Sequence, residues 1–222
     1  METNVTSTLN NFFSKIFCIN IDRRTDRWQD NCLPQFEKFN LSVERISAVD
    51  GDEDIYDLGN PRCNQLAGAE SHTNAIQKCK DENLDNALIL EDDVIFADNL
   101  IEQFNSYIAL LPSDWDIILF GGNHQYPKQS INEHIDRIYR TYALHAYGVN
   151  KKAYDKILDY MKECIELSST IKPVDCSLAA DWFMANLQPK LKAYCFNPHI
   201  AWQMDDFSDI LKEKVNYHFL KP

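Results

Sequence analysis

Residues 87–94 read ALILEDDV: four apolar residues are followed at once by three acidic ones. A short apolar run bounded by polar residues is typical of a strand that is buried on both faces of a sheet. Ligands of open α/β sheets bind at the carboxyl ends of the strands, so such a strand would present its acidic end to a binding site. The stretch therefore predicts a central strand that carries Glu91, Asp92 and Asp93 to the functional edge of a sheet.

The acidic triplet itself suggests a metal site. Neighbouring carboxylates repel one another, so the pKa of at least one of them rises unless a cation is present. Carboxylate oxygens suit Mn²⁺ or Mg²⁺, which can bridge to the phosphates of a substrate. In strand geometry Glu91 and Asp93 lie on the same side, so one can contact a ribose while the other binds the metal. The alternative is a solvated acidic turn, and the abrupt step from ALIL to EDD favours the metal site.

Strand-like and helix-like segments alternate along the rest of the chain. Strands are expected at residues 15–21, 43–49, 116–120, 142–149 and 192–196. Helices are expected at residues 28–39, 68–83, 100–111, 151–161 and 179–187. The alternation predicts a single α/β domain with a mainly parallel central sheet covered by helices. We expect residues 1–14 to form a flexible leader, residues 15–210 the domain and residues 211–222 a tail, with a long polar loop at 123–136.

The composition limits the functional classes. The chain has 222 residues and a formal net charge of -12, which disfavours a nucleic-acid binder because such a protein needs a basic face. An acidic protein can still bind a nucleotide diphosphate when a divalent cation lies between the two. The seven cysteines form no CxxC pair, so we expect reduced thiols rather than a disulfide framework. No apolar run is long enough for a membrane span and the N-terminus lacks signal-peptide character, so the expected location is the cytoplasm.

Arginines follow the first predicted strand. Arg23, Arg24 and Arg27 cluster there, and guanidinium groups suit a uracil carbonyl or a phosphate. The alternative is a solvated helix start in which the arginines pair with the neighbouring aspartates.

Two histidines and two aspartates complete the candidates. His72 lies on the helix before the acidic strand and could contact a phosphate, although a helical histidine is often a packing residue. His199 follows an Asn-Pro pair, where a side chain can turn back over a site and complete a metal shell. Asp181 lies inside a predicted helix, so it suits a general base better than a cap, whereas Asp175 suits a helix cap.

Several short motifs occur in a fixed order along residues 16–209. They are INIDRRTDRW (19–28), RISAVDG (45–51), SH (71–72), LILEDDV (88–94), DWDIILFG (114–121), HAYGVNKKAYDKIL (145–158), AADWFMANL (179–187), H-x-x-x-Q (199–203) and SD (208–209). Together they resemble glycosyltransferase family 25, which includes lipooligosaccharide and procollagen galactosyltransferases. Each motif is weak alone, and their order makes the resemblance specific.

The resemblance implies a GT-A (Rossmann-like) fold and an inverting transfer of galactose or glucose from a UDP-sugar, with Mn²⁺ or Mg²⁺ as cofactor. The implied acceptor is a hydroxyl of a glycan or of a collagen-like protein. The residues carried over as donor contacts are Asn20, Asp22, Arg24, Asp50, His72, Glu91 and Asp92. The implied metal ligands are Glu91, Asp93 and His199, and the implied general base is Asp181. Trp182 and Gln203 are the implied acceptor contacts.

The chain departs from the family pattern before the acidic strand. Members usually show Gly-Cys-x-Leu-Ser-His, whereas residues 67–72 read AGAESH. Two other readings compete with a glycosyltransferase. A nucleotidyltransferase would need a glycine-rich phosphate loop near the first strand, and the six glycines include none there. A non-catalytic glycan- or nucleotide-binding relative would be favoured by loss of the metal carboxylates, which are present.

Overall fold

The computed structural model describes residues 8–51, 62–170, 179–209 and 213–221. Within these residues the α-helices α1 to α6 are Thr8–Phe12, Leu33–Lys38, Arg62–Asp81, Leu100–Ile108, Tyr154–Thr170 and Ala180–Leu187. The strands β1 to β8 are Lys15–Asn20, Val43–Ser47, Asn86–Glu91, Val94–Phe96, Ile117–Leu119, Asn123–His124, Gln129–Ser130 and Ile135–Arg137. The strands β9 to β14 are Thr141–Tyr142, Ala146–Asn150, Ala193–Phe196, Ala201–Gln203, Asp206–Ser208 and Glu213–Val215.

Eight strands form the central sheet in the order β2-β1-β3-β10-β5-β11-β8-β7. The pairings β1–β2, β1–β3 and β5–β11 are parallel, and the other four are antiparallel. Following these pairings across the sheet, β8 and β10 run against the other six strands. The α/β class and a central sheet whose strands mainly share one direction are therefore confirmed.

Both faces of the sheet are covered, and successive side chains of each central strand pack on opposite faces. Phe17 and Ile89 belong to the core under α3, α5 and α6. Ile16 and Leu88 belong to the core under α1, α2 and α4. A strand buried in this way needs apolar residues at consecutive positions, which explains the uninterrupted ALIL run.

The helix expected at 28–39 consists of two parts. Arg27–Cys32 is a π-helical turn that continues directly into α2. Pro34 lies in the first turn of α2, where its missing N–H removes no hydrogen bond of the α-helix itself. The proline therefore accompanies the change in helix type rather than ending the helix.

The expected flexible leader is wrong for residues 8–14. This segment forms α1, and the side chains of Leu9 and Phe13 are buried. Asn10 fastens the helix, because its side chain donates to the Asn40 carbonyl and accepts from the Ser42 amide. Apolar contacts that are distant in sequence thus order a stretch that looks polar locally.

Two other expectations also need correction. The polar loop at 123–136 contains β6 and β7 and leads into β8, which joins the central sheet through β11. The expected tail contributes β14, which pairs with β13, and its Leu220 is buried. Among the described helices, none has the length and apolar character that crossing a bilayer requires. Asp175 lies outside the described residues.

Leu9→Ala tests whether α1 is part of the domain. The side chain is fully buried, so its truncation is expected to lower the free energy of unfolding by about 2–4 kcal/mol through lost burial and a residual cavity. Urea unfolding measures the change. Asn11→Ala on the exposed side of the same helix is the control, with an expected change within about 0.5 kcal/mol. Equal stabilities of the two variants would contradict the packed helix.

Candidate active site

Three carboxylates lie together at the carboxyl end of β3. Glu91 is the last residue of the strand, and Asp92 and Asp93 form the turn that leads into β4. Because β1 and β3 are parallel neighbours, the residues that follow β1 reach the same edge of the sheet. All three carboxylates line a pocket of about 440 Å³, a size typical of small-molecule sites.

Both carboxylate oxygens of Asp92 are engaged by the protein. Asn20 Nδ2 donates to Oδ2 at 2.7 Å, and Arg27 Nη1 donates to Oδ1 at 2.7 Å. The backbone carbonyl of Asp92 accepts from Asn31 Nδ2 at 2.9 Å. Burial raises the pKa of Asp92, and the Arg27 guanidinium opposes that shift. Asp92 thus fastens the turn, and because it also lines the pocket its donor contact stays a prediction.

Asp93 is bonded far less completely. Its Oδ1 is buried and has no hydrogen-bond partner, and its Oδ2 accepts only a long bond of 3.4 Å from Gln203 Nε2. The nearest guanidinium nitrogen, Nη1 of Arg27, lies 3.6 Å from Oδ2. Burial, reinforced by the negative charge of Glu91, raises the pKa of Asp93 to about 8. A buried carboxylate with an unpartnered oxygen is costly unless a ligand satisfies it.

Glu91 is oriented by His72 on α3. His72 Nε2 donates to Glu91 Oε1 at 3.1 Å, and His72 Nδ1 lies 3.0 Å from the hydroxyl of Tyr147. Burial opposes ionisation of Glu91, but the hydrogen bond from His72 and nearby positive charge lower its pKa overall. His72 lines the pocket, and both of its ring nitrogens have protein partners.

Asp181 enters the same pocket from the first turn of α6. Its Oδ2 accepts a 3.4 Å bond from the amide of Ala143. Burial raises the pKa of Asp181, and the negative charge of Glu91 adds to the effect. An aspartate with a raised pKa, held beside an acidic strand end, is suited to accept a proton.

Trp182 and Gln203, the expected acceptor contacts, also line the pocket. Gln203 additionally contacts Asp93, so it helps to hold that carboxylate. Arg140 lies near the ring of Trp182, with 5.8 Å between its guanidinium carbon and the ring centroid. The same guanidinium carbon lies 5.5 Å from the ring centroid of Tyr126 and 5.9 Å from that of Tyr142.

Four expected donor contacts do not line the pocket: Asn20, Asp22, Arg24 and Asp50. The wall is formed instead by their neighbours Ile19, Ile21, Val49 and Gly51. Side chains alternate along an extended chain, so residues adjacent to a wall residue point away from it.

The four displaced residues brace the wall through ion pairs and hydrogen bonds. Asn20 Oδ1 accepts from Arg45 Nε at 2.8 Å, and Arg45 also pairs with Asp22 at 2.6 Å. Asp50 pairs with Arg23 at 2.7 Å. Arg24 bonds to the carboxylates of Asp206 and Asp209.

The arginine cluster is bound by the C-terminal segment. Arg24 pairs with Asp206 at 3.0 Å and with Asp209 at 2.5 Å, and Arg23 pairs with Asp209 at 2.7 Å. Arg27 pairs with Asp206 at 3.2 Å. These pairs hold the segment of Ser208 and Asp209 against the pocket, which both residues line.

His199 does not line the pocket, so the structure does not bring it to Glu91 and Asp93 as a third ligand. Its Nδ1 donates to the Leu220 carbonyl at 2.9 Å, and its ring lies 5.6 Å from that of His124 between centroids. Burial lowers the pKa of His199 and lowers that of His124 to about 4. The strand β12 that follows His199 carries Gln203, and not the histidine, to the acidic turn.

Sequence reasoning missed several pocket residues. The sequence predicts Arg27 only as a member of an arginine cluster, although its position shortly after the first strand indicates the strand end. Gln65, Tyr142 and Tyr217 also line the pocket. Tyr217 belongs to the expected tail, and no local pattern distinguishes it.

A protein-family model described as glycosyltransferase family 25 (LPS biosynthesis protein) matches residues 13–178. The chain belongs to this family. The match covers β1, the acidic strand end and β10. No curated protein sequence matches the chain.

Solved structures with a similar arrangement share little sequence with this family 25 member. A glycosyltransferase involved in glycosylation of the major capsid of PBCV-1 has 14% identity and a TM-score of 0.42, with 71% of this chain and 67% of that chain covered. A197 from STIV has 10% identity and a TM-score of 0.39, with coverage of 88% and 86%. Mannose-1-phosphate geranyltransferase from Thermus thermophilus has 10% identity and a TM-score of 0.42, with coverage of 82% and 72%.

The stretch that departs from the family 25 pattern still forms part of the pocket. Ala67, Gly68, Ser71 and His72 line it from α3. Ser71 accepts from the Val49 amide at 2.9 Å and donates to the Ala67 carbonyl at 2.7 Å. The chain keeps the serine and the histidine of the family pattern. The Ser71 side chain holds the pocket wall at Val49, and the His72 side chain orients Glu91.

Asp93→Asn is expected to stabilise the metal-free protein, by an amount that grows as the pH rises from about 4 to about 8. The pKa of Asp93 is about 8 in the folded state against an ordinary 3.8, so in this range the folded state binds more protons than the unfolded chain. The stability of the unsubstituted protein therefore falls with rising pH until the folded-state pKa is passed. Asparagine does not ionise, so it removes this loss of unfolding free energy, which is on the order of a few kcal/mol at alkaline pH.

Urea unfolding in the presence of a chelator, at about pH 5 and about pH 8.5, measures this difference. Asp159→Asn, which removes the same charge from an exposed position on α5, is the control and is expected to show no such pH dependence. Destabilisation by Asp93→Asn at the higher pH would contradict the raised pKa.

Proposed function

We propose that this family 25 member is a divalent-cation-dependent, inverting hexosyltransferase that moves galactose or glucose from a UDP-sugar to an acceptor hydroxyl. The acceptor is a glycan or a hydroxylysine-type side chain of a collagen-like protein. The observation that carries the proposal is the placement of two different carboxylates in one pocket: Asp93 with an unpartnered oxygen, and Asp181 with a raised pKa.

The residues at the acidic turn fit a divalent cation. Asp93 Oδ1 is buried and unpartnered, and Glu91 beside it has a lowered pKa, so two hard oxygen ligands face the same pocket. Such ligands suit Mn²⁺ or Mg²⁺. When bound, the cation would supply the positive charge that stabilises the departing diphosphate. The need for a bound cation is greater here because the chain carries a net charge of -12 and would otherwise repel a nucleotide.

The donor would lie between β1 and α3. Ile19, Ile21 and Val49 form an apolar strip in this part of the pocket, which suits the face of a uracil base. Arg27 at the inner end offers a guanidinium to a phosphate, while its ion pair with Asp92 holds it in place. Asn20, Asp22, Arg24 and Asp50 then support the donor site from behind its wall rather than contacting the donor.

Asp181 would act as the general base. In a single displacement it takes the proton of the acceptor hydroxyl, the oxygen attacks the anomeric carbon, and the bond to the diphosphate breaks on the opposite side. The Ala143 amide orients the carboxylate through its bond to Oδ2. The raised pKa favours proton acceptance near neutral pH and moves the acidic limb of the rate profile to higher pH than an exposed aspartate would give.

Aromatic rings at the rim would hold the acceptor. Trp182 and Tyr142 line the pocket, and Arg140 lies close to both rings. Flat aromatic faces bury the apolar face of a sugar ring, and a neighbouring guanidinium can bond to its hydroxyls. The rim therefore suits a glycan acceptor, with Gln203 at the inner end near Asp93.

Asp181→Asn tests the catalytic assignment. The amide cannot accept the proton, so we expect kcat for transfer to fall by about 10²–10⁴ while UDP-sugar binding changes by less than about threefold. Transfer is measured with radiolabelled donor and binding by calorimetry. Asn186→Asp on the same helix is a control that alters charge without altering the base. Loss of donor binding together with transfer would assign Asp181 a structural role, and unchanged transfer would refute Asp181 as the general base.

A thermal-shift screen of nucleotide sugars tests the donor and the cation together. UDP-galactose or UDP-glucose is expected to raise the melting temperature only when Mn²⁺ or Mg²⁺ is present, because binding to the native state stabilises it. Asp93→Ala should abolish the cation-dependent part of the shift in melting temperature, and Asp159→Ala should leave that part intact. A shift that is equal with and without cation would refute the metal assignment, and a response to another nucleotide alone would refute the donor.

A further inference from the structure

A second group of metal-ligating side chains lies outside the pocket. His124 on β6, Cys195 on β11 and His199 after β11 each offer one ligand atom, and these atoms all lie within 4.8 Å of one another. None of the three lines the pocket that contains Glu91, Asp93 and Asp181. The group combines segments far apart in sequence, so only the fold brings them together.

The hydrogen bonds of the two histidines leave the same ring nitrogen available in each. His199 Nδ1 lies 2.9 Å from the Leu220 carbonyl, which can only accept, so Nδ1 carries the proton and Nε2 holds a lone pair. His124 Nδ1 lies 2.9 Å from Thr141 Oγ1, and His124 Nε2 is buried with no hydrogen-bond partner. A bond from Nδ1 to a carbonyl or hydroxyl is the usual outer support of a metal-binding imidazole.

Cys195 supplies a thiol with weak alternative bonding. Its side chain is fully buried, and Sγ has a 3.5 Å contact with the Phe196 carbonyl. Asp136 lies directly opposite Cys195 in the sheet, and its buried carboxylate is paired with Lys128 at 2.7 Å.

Gly121 makes room for this arrangement. A Cβ at Gly121 would lie 2.2 Å from the Ala201 carbonyl oxygen and 3.2 Å from Cβ of His199. Any larger residue would therefore displace the segment that carries His199.

We propose that His124, Cys195 and His199 bind a zinc ion through two imidazole nitrogens and one thiolate. Imidazole and thiolate are softer ligands than the oxygens of the acidic turn, so this set selects Zn²⁺ over Mn²⁺ or Mg²⁺. Zn–S and Zn–N bonds of roughly 2.3 and 2.0 Å place tetrahedral ligands about 3.3–3.6 Å apart, so binding draws the three side chains together by about 1 Å. As the Zn–S bond forms, the thiol proton leaves to solvent, and a water takes the fourth position.

The zinc would stabilise the wall of the pocket from outside. His199 is bonded to Leu220, which follows the pocket residue Tyr217 by three positions, and His124 is bonded to Thr141, which precedes Tyr142. Both neighbours line the pocket, so the metal would fasten the two segments that bring them there.

Cobalt and zinc titrations of the full chain, after removal of metal with a chelator, test the proposal. We expect about one equivalent of tightly bound zinc, and a thiolate-to-cobalt charge-transfer band when Co²⁺ replaces it. Cys195→Ser should lose the band, and His124→Gln should weaken zinc binding by at least about 100-fold. Cys164→Ser, which removes a thiol from α5, should behave as the unsubstituted protein.

Asp93→Ala separates this site from the active site. The variant should retain the zinc and the cobalt band, because the Asp93 carboxylate lines the active-site pocket and is not part of the zinc site. The proposal is overturned if the unsubstituted protein takes up no zinc, if the band survives in Cys195→Ser, or if Asp93→Ala removes it. Should Cys195→Ser fail to fold, His124→Gln decides by itself, since His124 is only partly buried on a short strand.

Discussion

The ion pair between Arg27 and Asp92 allows three consecutive carboxylates to stand at the end of a buried strand. Its nitrogen–oxygen distance is 2.7 Å, and both side chains are about 10% exposed. A pair at this depth has given up its hydration, so removal of either partner leaves an uncompensated charge in the interior. With Asp92 neutralised in this way, Glu91 and Asp93 remain the two carboxylates of the turn that are available to a ligand.

The site also stores backbone strain. Ala143 has a φ of 75°, in the left-handed region that costs a residue with a Cβ about 1–3 kcal/mol. Its amide is the one that bonds to Asp181. Gln188 holds the nearby Thr141, since its side chain donates to and accepts from the Thr141 backbone at 2.8 Å in both bonds. The surrounding structure thus keeps the amide aimed at the carboxylate even though the conformation is unfavourable.

The sequence predicts the parts of this molecule that depend on local patterns. The ALIL run identifies the central strand, the spacing of Ala69, Ile76 and Cys79 identifies α3, and the step into acidic residues identifies the turn. Local patterns do not predict the residues whose position depends on distant segments. His199 lies with His124 and Cys195, and Tyr217 reaches the pocket from a segment with no periodicity. For the strand that precedes Asp22, the alternation of side chains is readable, but which face meets the pocket depends on the neighbouring helices.

The reversed direction of β10 divides the pocket between two halves of the chain. Because β10 runs against β3, the residues before β10 lie at the same edge as the residues after β1 and β3. The first half of the chain therefore builds the part of the wall that contains Ile19 and Val49, and the residues just before β10, Tyr142, Ala143 and Leu144, line the opposite rim. Insertions or exchanges in that rim can reshape what is recognised there without shifting the register of β1 and β3. Under the proposed function, exchanges at that rim would change the acceptor that is recognised while the proposed donor half of the pocket stays in place.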